Sequence, residues 1–337
     1  MGARPLVDGF GRVHRDLRIS ITDRCNFRCT YCMPAEGMPW LPREELLTYE
    51  EIERVAGVLV RRFGFDSLRI TGGEPTVRAH LPVLVAKLAA LRAPSGRPVD
   101  LALTTNGASL GLLAHDLAAA GLRRVNVSLD TLRPDRFRAI TRRDDLPRVL
   151  DGVAAAVAAG LDPVKVNCVV MRGVNDDEIV DLAGWARDAG VELRFIEFMP
   201  LDADGRWTGG QVVARDEILA RLSSVFALAP DTDGHQGAAP AERFRYLDGG
   251  GHVGVIPTVT HAFCDACDRV RLTAEGALRS CLFALDEHDL RGLLRSGADD
   301  DVLAARIEAA VAAKWAGHRI GQPVFVRPGR SMSQIGG

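Results

Sequence analysis

Six of the seven cysteines stand in two groups of three: Cys25-x3-Cys29-x2-Cys32 near the start, and Cys264-x2-Cys267-x13-Cys281 near the end. An odd count argues against a disulfide framework and turns attention to metal. Three thiolates at the first spacing can face one metal centre. A structural zinc site wants four closed ligands, and no further Cys or His lies close by, since His14 is upstream beyond the first strand. A 4Fe–4S cluster normally takes four cysteines. Three leave one iron with an open position, which is what catalysis needs. For the second group, spacing alone leaves zinc and iron–sulfur both open, because His261 precedes Cys264 by three residues and completes a Cys3His set. Cys168, the seventh, falls inside a strand-like run and reads as a small buried residue.

The first group directly follows a strand, and a regular alternation begins there. Strand-like runs over residues 16–21, 67–71, 99–104, 124–129, 163–170 and 191–198 alternate with helix-like runs. One of these helices opens on a capping box, Thr48-Tyr49-Glu50-Glu51, and extends to about Phe63. Six strands alternating with helices imply parallel pairing with right-handed crossovers. Periodicity leaves closure undecided between an eight-strand barrel, an open sheet and a partial barrel; six units fit a partial (β/α)6 barrel best. In such folds the loops after the strands carry the active site. After residue 198 the alternation stops. Residues 231–251 read as a linker or long loop, two helical runs follow near 286–295 and 301–315, and residues 327–337 show no apolar period. At 337 residues, with 47% hydrophobic residues, the chain suits one large α/β domain plus an extension.

Four strands carry a basic residue within an apolar pattern: Arg18, Arg69, Lys165 and Arg194. Parallel strands are usually near-continuously apolar, and an unpaired buried charge costs several kcal/mol, on the order of the desolvation penalty per ion. Pairing with acids such as Glu192, Glu197 or Asp130 explains any one of them. All four together favour a shared anionic ligand. Arg269 and Arg271 alternate with Val270 and Leu272 and are able to face the same cavity. Of 42 basic residues only Lys87, Lys165 and Lys314 are lysine, so a lysine in a strand is notable. A net charge of −2 disfavours a nucleic-acid partner. No apolar run is long enough to span a bilayer and no apolar leader follows Met1, so the expected setting is cytoplasmic, with no membrane partner.

The first cysteine spacing, with Tyr31 before the last cysteine, resembles the radical S-adenosylmethionine enzymes. Thr71-Gly72-Gly73-Glu74-Pro75 after the second strand resembles the motif of those enzymes that lies beside the methionine amino group. The run Phe263 to Thr273, the segment Cys281-Leu282-Phe283 and the terminal Met332 to Gly337 resemble the GTP 3′,8-cyclase family of molybdenum cofactor biosynthesis. The likeness extends from Arg18 through Arg24 to the last residue. One departure is Asp268, where that family usually has Asn.

The resemblance implies a radical S-adenosylmethionine partial barrel over residues 1–230. A region over 231–337 would carry a second iron–sulfur cluster and a double-glycine tail. It implies a lyase that converts GTP to (8S)-3′,8-cyclo-7,8-dihydroguanosine 5′-triphosphate, using S-adenosylmethionine and two 4Fe–4S clusters on Cys25, Cys29, Cys32, Cys264, Cys267 and Cys281. Reductive cleavage at the first cluster would give a 5′-deoxyadenosyl radical, which takes the ribose 3′ hydrogen of GTP; the second cluster would hold the guanine. The implied GTP contacts are Arg18, Arg69, Thr104, Lys165, Arg194, Arg269, Val270 and Arg271. Those for S-adenosylmethionine are Tyr31, Gly73, Ser128 and Met199. Gly336 and Gly337 would reach into the site from a flexible tail. A homodimer, a flavodoxin or ferredoxin reductant, and a downstream cyclic pyranopterin monophosphate synthase complete the implied partners. Two other readings compete: a peptide-modifying radical enzyme, whose auxiliary region usually carries more cysteines, and a zinc-stabilised binding module.

Overall fold

The structure, a computed structural model, describes residues 4–202, 204–231 and 238–336. Twelve strands form one sheet. The first six are β1 (Asp16–Ser20), β2 (Ser67–Thr71), β3 (Asp100–Thr105), β4 (Arg124–Ser128), β5 (Val164–Val170) and β6 (Glu192–Glu197). They lie side by side in chain order, each parallel to the next. The rest come from the C-terminal part: β7 (Leu228–Pro230), β8 (Glu242–Tyr246), β9 (His252–Ile256), β10 (Arg269–Leu272), β11 (Ala277–Arg279) and β12 (His288–Asp289). The full order is β12-β11-β10-β1-β2-β3-β4-β5-β6-β9-β8-β7. The sheet does not close on itself, and the partial-barrel reading holds.

The helices are α1 (Tyr49–Phe63), α2 (Leu81–Ala89), α3 (Leu110–Ala119), α4 (Pro134–Thr141), α5 (Leu146–Ala158), α6 (Ile179–Asp188), α7 (Arg215–Ser223), α8 (Arg291–Arg295), α9 (Asp300–Ala312) and α10 (Met332–Ile335). The expected capping box opens α1: Thr48 Oγ1 accepts from Glu51 N at 3.1 Å, and the Glu51 carboxylate accepts from Thr48 N at 2.7 Å. Ile52, Val55, Leu59 and Phe63 then recur at helical spacing and are buried.

Alternation within the strands separates two faces. Leu17 and Ile19, Leu68 and Ile70, Val125 and Val127, and Leu193 and Phe195 are fully buried in one core with the helices. Cys168 joins that core, as expected of a small buried residue. Most of the intervening positions are polar: Arg18, Arg69, Thr104, Asn126, Lys165, Asn167 and Arg194. They form the other face.

Three expectations for the C-terminal part are corrected. Residues 231–251 are not simply a loop. They contain β8, whose Glu-Arg-Phe-Arg-Tyr sequence has too few apolar residues to stand out, and which is held between β7 and β9. The helix expected at 286–295 is confined to Arg291–Arg295, because His288–Asp289 pair with Ala277–Leu278 as a short strand. The terminal segment folds as α10, with Ile335 buried at 1% exposure. Among the described residues no helix is long and apolar enough to cross a membrane.

Candidate functional site

The first cysteine loop leaves β1 and is bound to the turn after β2. Gly73 N donates to Thr22 O at 2.7 Å and Glu74 N to Arg24 O at 2.8 Å. A Cβ on Gly73 would stand 2.5 Å from the carbonyl oxygens of Asp23 and Arg24, so only glycine permits this approach. Glu74 ties three loops together. Its carboxylate accepts from Thr76 N (3.0 Å), Thr76 Oγ1 (2.6 Å), Thr105 Oγ1 (2.7 Å) and Asn106 N (2.6 Å). Asn106 in turn donates to Asn26 Oδ1 at 2.8 Å.

The three thiols act on one another. Burial raises the Cys25 thiol to about 11, with the Glu74 charge adding to the rise. Burial, then the Cys25 charge, raises Cys32 to about 12, against two hydrogen bonds donated by Ser333. Cys29 is pushed up by burial and then by Cys32, Asp130 and Cys25. Beside Cys29 a cleft is lined by Tyr31, Asn106, Ser128 and Asp130. Tyr31 Oη donates to Asp130 Oδ2 at 2.7 Å, and Val169 N donates to Oδ1 at 2.9 Å. Tyr31 and Ser128 therefore meet at the first cysteine group, and Gly73 supports its loop. Met199 does not line this cleft. It packs against the cluster of Leu201, Phe283 and Ile320, against which Cys281 of the second group and Met332 also pack.

On the polar face of the sheet, pairing register sets Arg271, Arg18 and Arg69 in one row. Thr104, Asn126 and Lys165 form another, and Asn167 lies beside Arg194. Pairing with acids accounts for only part of this set. Glu192 Oε1 sits 2.6 Å from Arg194 Nε and 3.8 Å from Lys165 Nζ. Glu197 is instead engaged by Arg215 N, Val259 N and Thr260 N. Arg18 Nε, Arg69 Nε, Arg269 Nε, Asn126 Oδ1 and Asn167 Oδ1 are buried with no hydrogen-bond partner. Burial, then the neighbouring Arg18, depresses Arg69 to about 9. Burial, then Arg194, depresses Lys165 to about 8. Arg271 falls well below its ordinary value through burial and then Arg18 and Arg269. Asp16 Oδ1, on β1 beside Arg269, is also without a hydrogen-bond partner. Even so, the guanidinium and ammonium groups outnumber the carboxylates, and a crowded face with unfilled hydrogen bonds and an excess of positive charge suits a polyanion.

The second group is assembled by the β10–β11 hairpin, which places Cys267 just before one strand and Cys281 just after the other. Burial would raise the Cys267 thiol, but Arg269 and Lys314 hold it down at about 7. Phe283 N lies 3.4 Å from Cys281 Sγ. His261 is exposed, and its ring lies 3.2 Å from Thr260 Oγ1, so the Cys3His arrangement is not assembled among the described residues. Asp268 has its carboxyl raised to about 6 by burial and then by Asp16, with Arg269 pulling the other way. Among the described residues no three His, Cys, Asp or Glu side chains converge as ligands of a single ion do. Both donor sets are all-thiol, the soft type that iron–sulfur clusters take.

The tail joins the two regions. Ser333 donates to Cys32, and Arg271 donates to the Gly336 carbonyl. Gly336 has φ +79°, and a Cβ there would stand 2.8 Å from Thr71 Cγ2. Val270 is buried on the core side of β10. Gly337 lies outside the described residues. Glu74, Asn106, Asn126, Asp130 and Asn167 were missing from the sequence-derived site set. For Asn126 and Asn167 the available signal was polarity on the same alternating face as Lys165.

Two family models match: the Radical SAM superfamily over residues 19–186, and Molybdenum Cofactor Synthesis C over residues 191–320. A GTP 3′,8-cyclase of Streptomyces coelicolor is 52% identical over 337 residues, covering 100% of this chain and 97% of that protein. One from Corynebacterium glutamicum is 50% identical, covering 100% and 90%. Among solved structures, Streptococcus suis SuiB bound to S-adenosylmethionine aligns with a TM-score of 0.55 at 15% identity, over 87% of this chain and 68% of that one. The protein anSMEcpe with bound AdoMet aligns at 0.51 and 18%, over 63% and 58%. These two share the fold. With relatives at this identity matched over its whole length, the chain belongs to the GTP 3′,8-cyclase family of the radical S-adenosylmethionine superfamily.

Proposed function

We propose that this chain converts GTP to (8S)-3′,8-cyclo-7,8-dihydroguanosine 5′-triphosphate, as a lyase with two 4Fe–4S clusters. The observation that carries this reading is the crowded face of cations and amides, several of whose polar atoms lack hydrogen-bond partners, on a sheet flanked by two all-thiol groups. Cys25, Cys29 and Cys32 would hold the first cluster; Cys264, Cys267 and Cys281 the second. When bound, the first cluster and S-adenosylmethionine supply a one-electron cleavage that leads to loss of the ribose 3′ hydrogen.

The rest is positioning. Tyr31, Gly73 and Ser128 border the methionine and adenosine side, and Met199 serves from the opposite wall. Arg18, Arg69, Lys165, Arg194, Arg269 and Arg271 grip the triphosphate, with Thr104 completing the row and Val270 fixing the strand that carries two of them. That remote grip orients the ribose, so binding energy far from the reacting carbon is used to hold it within about 3–3.5 Å of attack. Gly336 closes the site from the tail side, and the family resemblance gives Gly337 a part in the same role. Residues 1–230 form the radical unit and 231–337 the second-cluster unit. The expected setting is a cytoplasmic homodimer reduced by flavodoxin or ferredoxin, with its product passed to a cyclic pyranopterin monophosphate synthase.

The test is an anaerobic incubation of reconstituted protein with dithionite, S-adenosylmethionine and GTP, read by mass spectrometry. The expected products are 5′-deoxyadenosine and a GTP isomer of unchanged mass. Formation of 5′-deoxyadenosine while GTP stays intact would overturn the substrate assignment.

A further inference from the structure

Lys314 follows α9 and is buried at 4% exposure. Its Nζ donates to Arg269 O at 2.8 Å and lies 3.4 Å from Cys267 O and 3.6 Å from Cys267 Sγ. On its other side is His14 Nδ1, at 3.5 Å. His14 is fully buried, and its Nε2 lies 3.0 Å from Asp8 Oδ2. Asp8 also accepts from Arg12 Nε at 2.6 Å and from Phe10 N at 2.9 Å. The remaining Arg12 nitrogens donate to Cys264 O (2.8 Å), Ala316 O (2.8 Å) and Trp315 O (2.6 Å). A segment ahead of both family-model spans thus wraps the second cysteine group. One tautomer satisfies the chain: His14 Nε2–H donates to Asp8, and Nδ1 accepts from Lys314.

A buried ammonium persists only where negative charge and acceptors compensate it. The groups facing Lys314 are the thiols of Cys267 and Cys281, the carboxyl group of Asp268, the guanidinium groups of Arg12 and Arg269, and the neutral His14 ring. Among the described residues the sulfur within hydrogen-bond reach is that of Cys267. Hydrogen bonds and fixed positive charge at a cluster sulfur stabilise the reduced cluster, and such outer partners commonly tune a metal site.

We propose that Lys314, held in place by His14 and Asp8, is a positioning residue that raises the reduction potential of the cluster carried by Cys264, Cys267 and Cys281. This rests on the two-cluster reading above. The test uses the full-length chain with Cys25, Cys29 and Cys32 changed to Ala, reconstituted anaerobically with iron and sulfide. Iron content and an EPR-monitored redox titration are measured for this parent, for Lys314→Met and for Lys314→Arg. The expected result is a lower midpoint for Lys314→Met. At a fixed potential its reduced-to-oxidised ratio falls about tenfold, which is about 59 mV for one electron, while Lys314→Arg stays near the parent. Iron uptake by the Arg variant but not the Met variant supports the same charge requirement. Equal midpoints for Met and parent, or equal shifts or equal iron loss in Met and Arg, overturn the proposal. A parent that takes up no iron overturns the two-cluster reading itself.

Discussion

The two cysteine groups have the same number of thiols and opposite surroundings. The first lies beside the buried carboxylates of Glu74 and Asp130, and all three thiols are pushed upward. In the second, burial pushes the Cys264 thiol up as well, but Arg269 and Lys314 hold Cys267 down at about 7. Metal binding must displace protons from thiols, so the first group needs the stronger pull from its metal. Fixed negative charge also disfavours an added electron. On the two-cluster proposal, a cluster held by Cys25, Cys29 and Cys32 would therefore be a reluctant electron acceptor, which suits a strong one-electron donor. The second region is built to stabilise charge next to a polyanion face. Two equal ligand counts tell nothing of this; the neighbours decide it.

The largest expected contrast comes from deleting one thiol on each side. Cys29→Ala abolishes formation of 5′-deoxyadenosine altogether. Cys267→Ala preserves it and abolishes the GTP isomer. Loss of both products in both variants would erase the division of labour between the regions.

Deleting Gly336 and Gly337 abolishes cyclisation while S-adenosylmethionine binding, followed by equilibrium dialysis, survives. The substitution Gly336→Ala acts in the same direction, because the added Cβ meets Thr71 and the φ of +79° disfavours any side chain. Full cyclisation by the deleted form would disprove the role given to the tail.

On the polyanion face, Arg69→Met weakens GTP binding by about 2 kcal/mol, roughly 30-fold in Kd. The same change raises the stability of the unliganded protein, since it removes a buried cation that has no carboxylate in salt-bridge contact and only the longer-range pull of Asp16. Calorimetric melting with and without GTP reads both. A drop in unliganded stability would show that Arg69 is paired for the fold rather than kept for a ligand.

The smallest effect is in pH. Burial and Arg194 depress Lys165 from 10.5 to about 8. In the free protein it is charged only below about 8, whereas bound triphosphate favours the charged form. GTP affinity therefore falls above pH 8, by up to about tenfold per unit. By linkage the unliganded fold gains stability as pH rises from about 8 towards 10.5, because the unfolded chain binds more protons there. Lys165→Arg flattens the affinity profile, and an unchanged slope in that variant assigns the titration elsewhere.

Much of the first region was legible in the sequence because its signals are local. The Cys-x3-Cys-x2-Cys loop, the Thr48–Glu51 capping box and the alternating strands each occupy a short run, and the structure places them within a residue or so. The second region was less legible because its signals are distant. β8 is a strand only through its neighbours on either side, and α10 forms against Arg271 and Thr71. Asp8, Arg12 and His14 reach Cys264 and Lys314 across some 250–300 residues. Acid pairing, the competing explanation for the four strand cations, is present for Lys165 and Arg194 through Glu192, while among the described residues Arg18 and Arg69 have no such contact and keep to the favoured reading of a shared ligand. The reason is spatial: Glu192 is in contact with Lys165 and Arg194, whereas Arg18 and Arg69 feel the Asp16 carboxylate only at longer range, with no salt-bridge contact among the described residues.

The most direct test of the central claim, that this face holds GTP with its ribose turned to the first cluster's chemistry, uses GTP deuterated at the ribose 3′ carbon. One anaerobic turnover with S-adenosylmethionine is quenched, and the recovered 5′-deoxyadenosine is weighed by mass spectrometry. The account predicts one deuterium in that product, with an equal amount of the GTP isomer. Unlabelled 5′-deoxyadenosine, with all the deuterium retained in GTP, would contradict it.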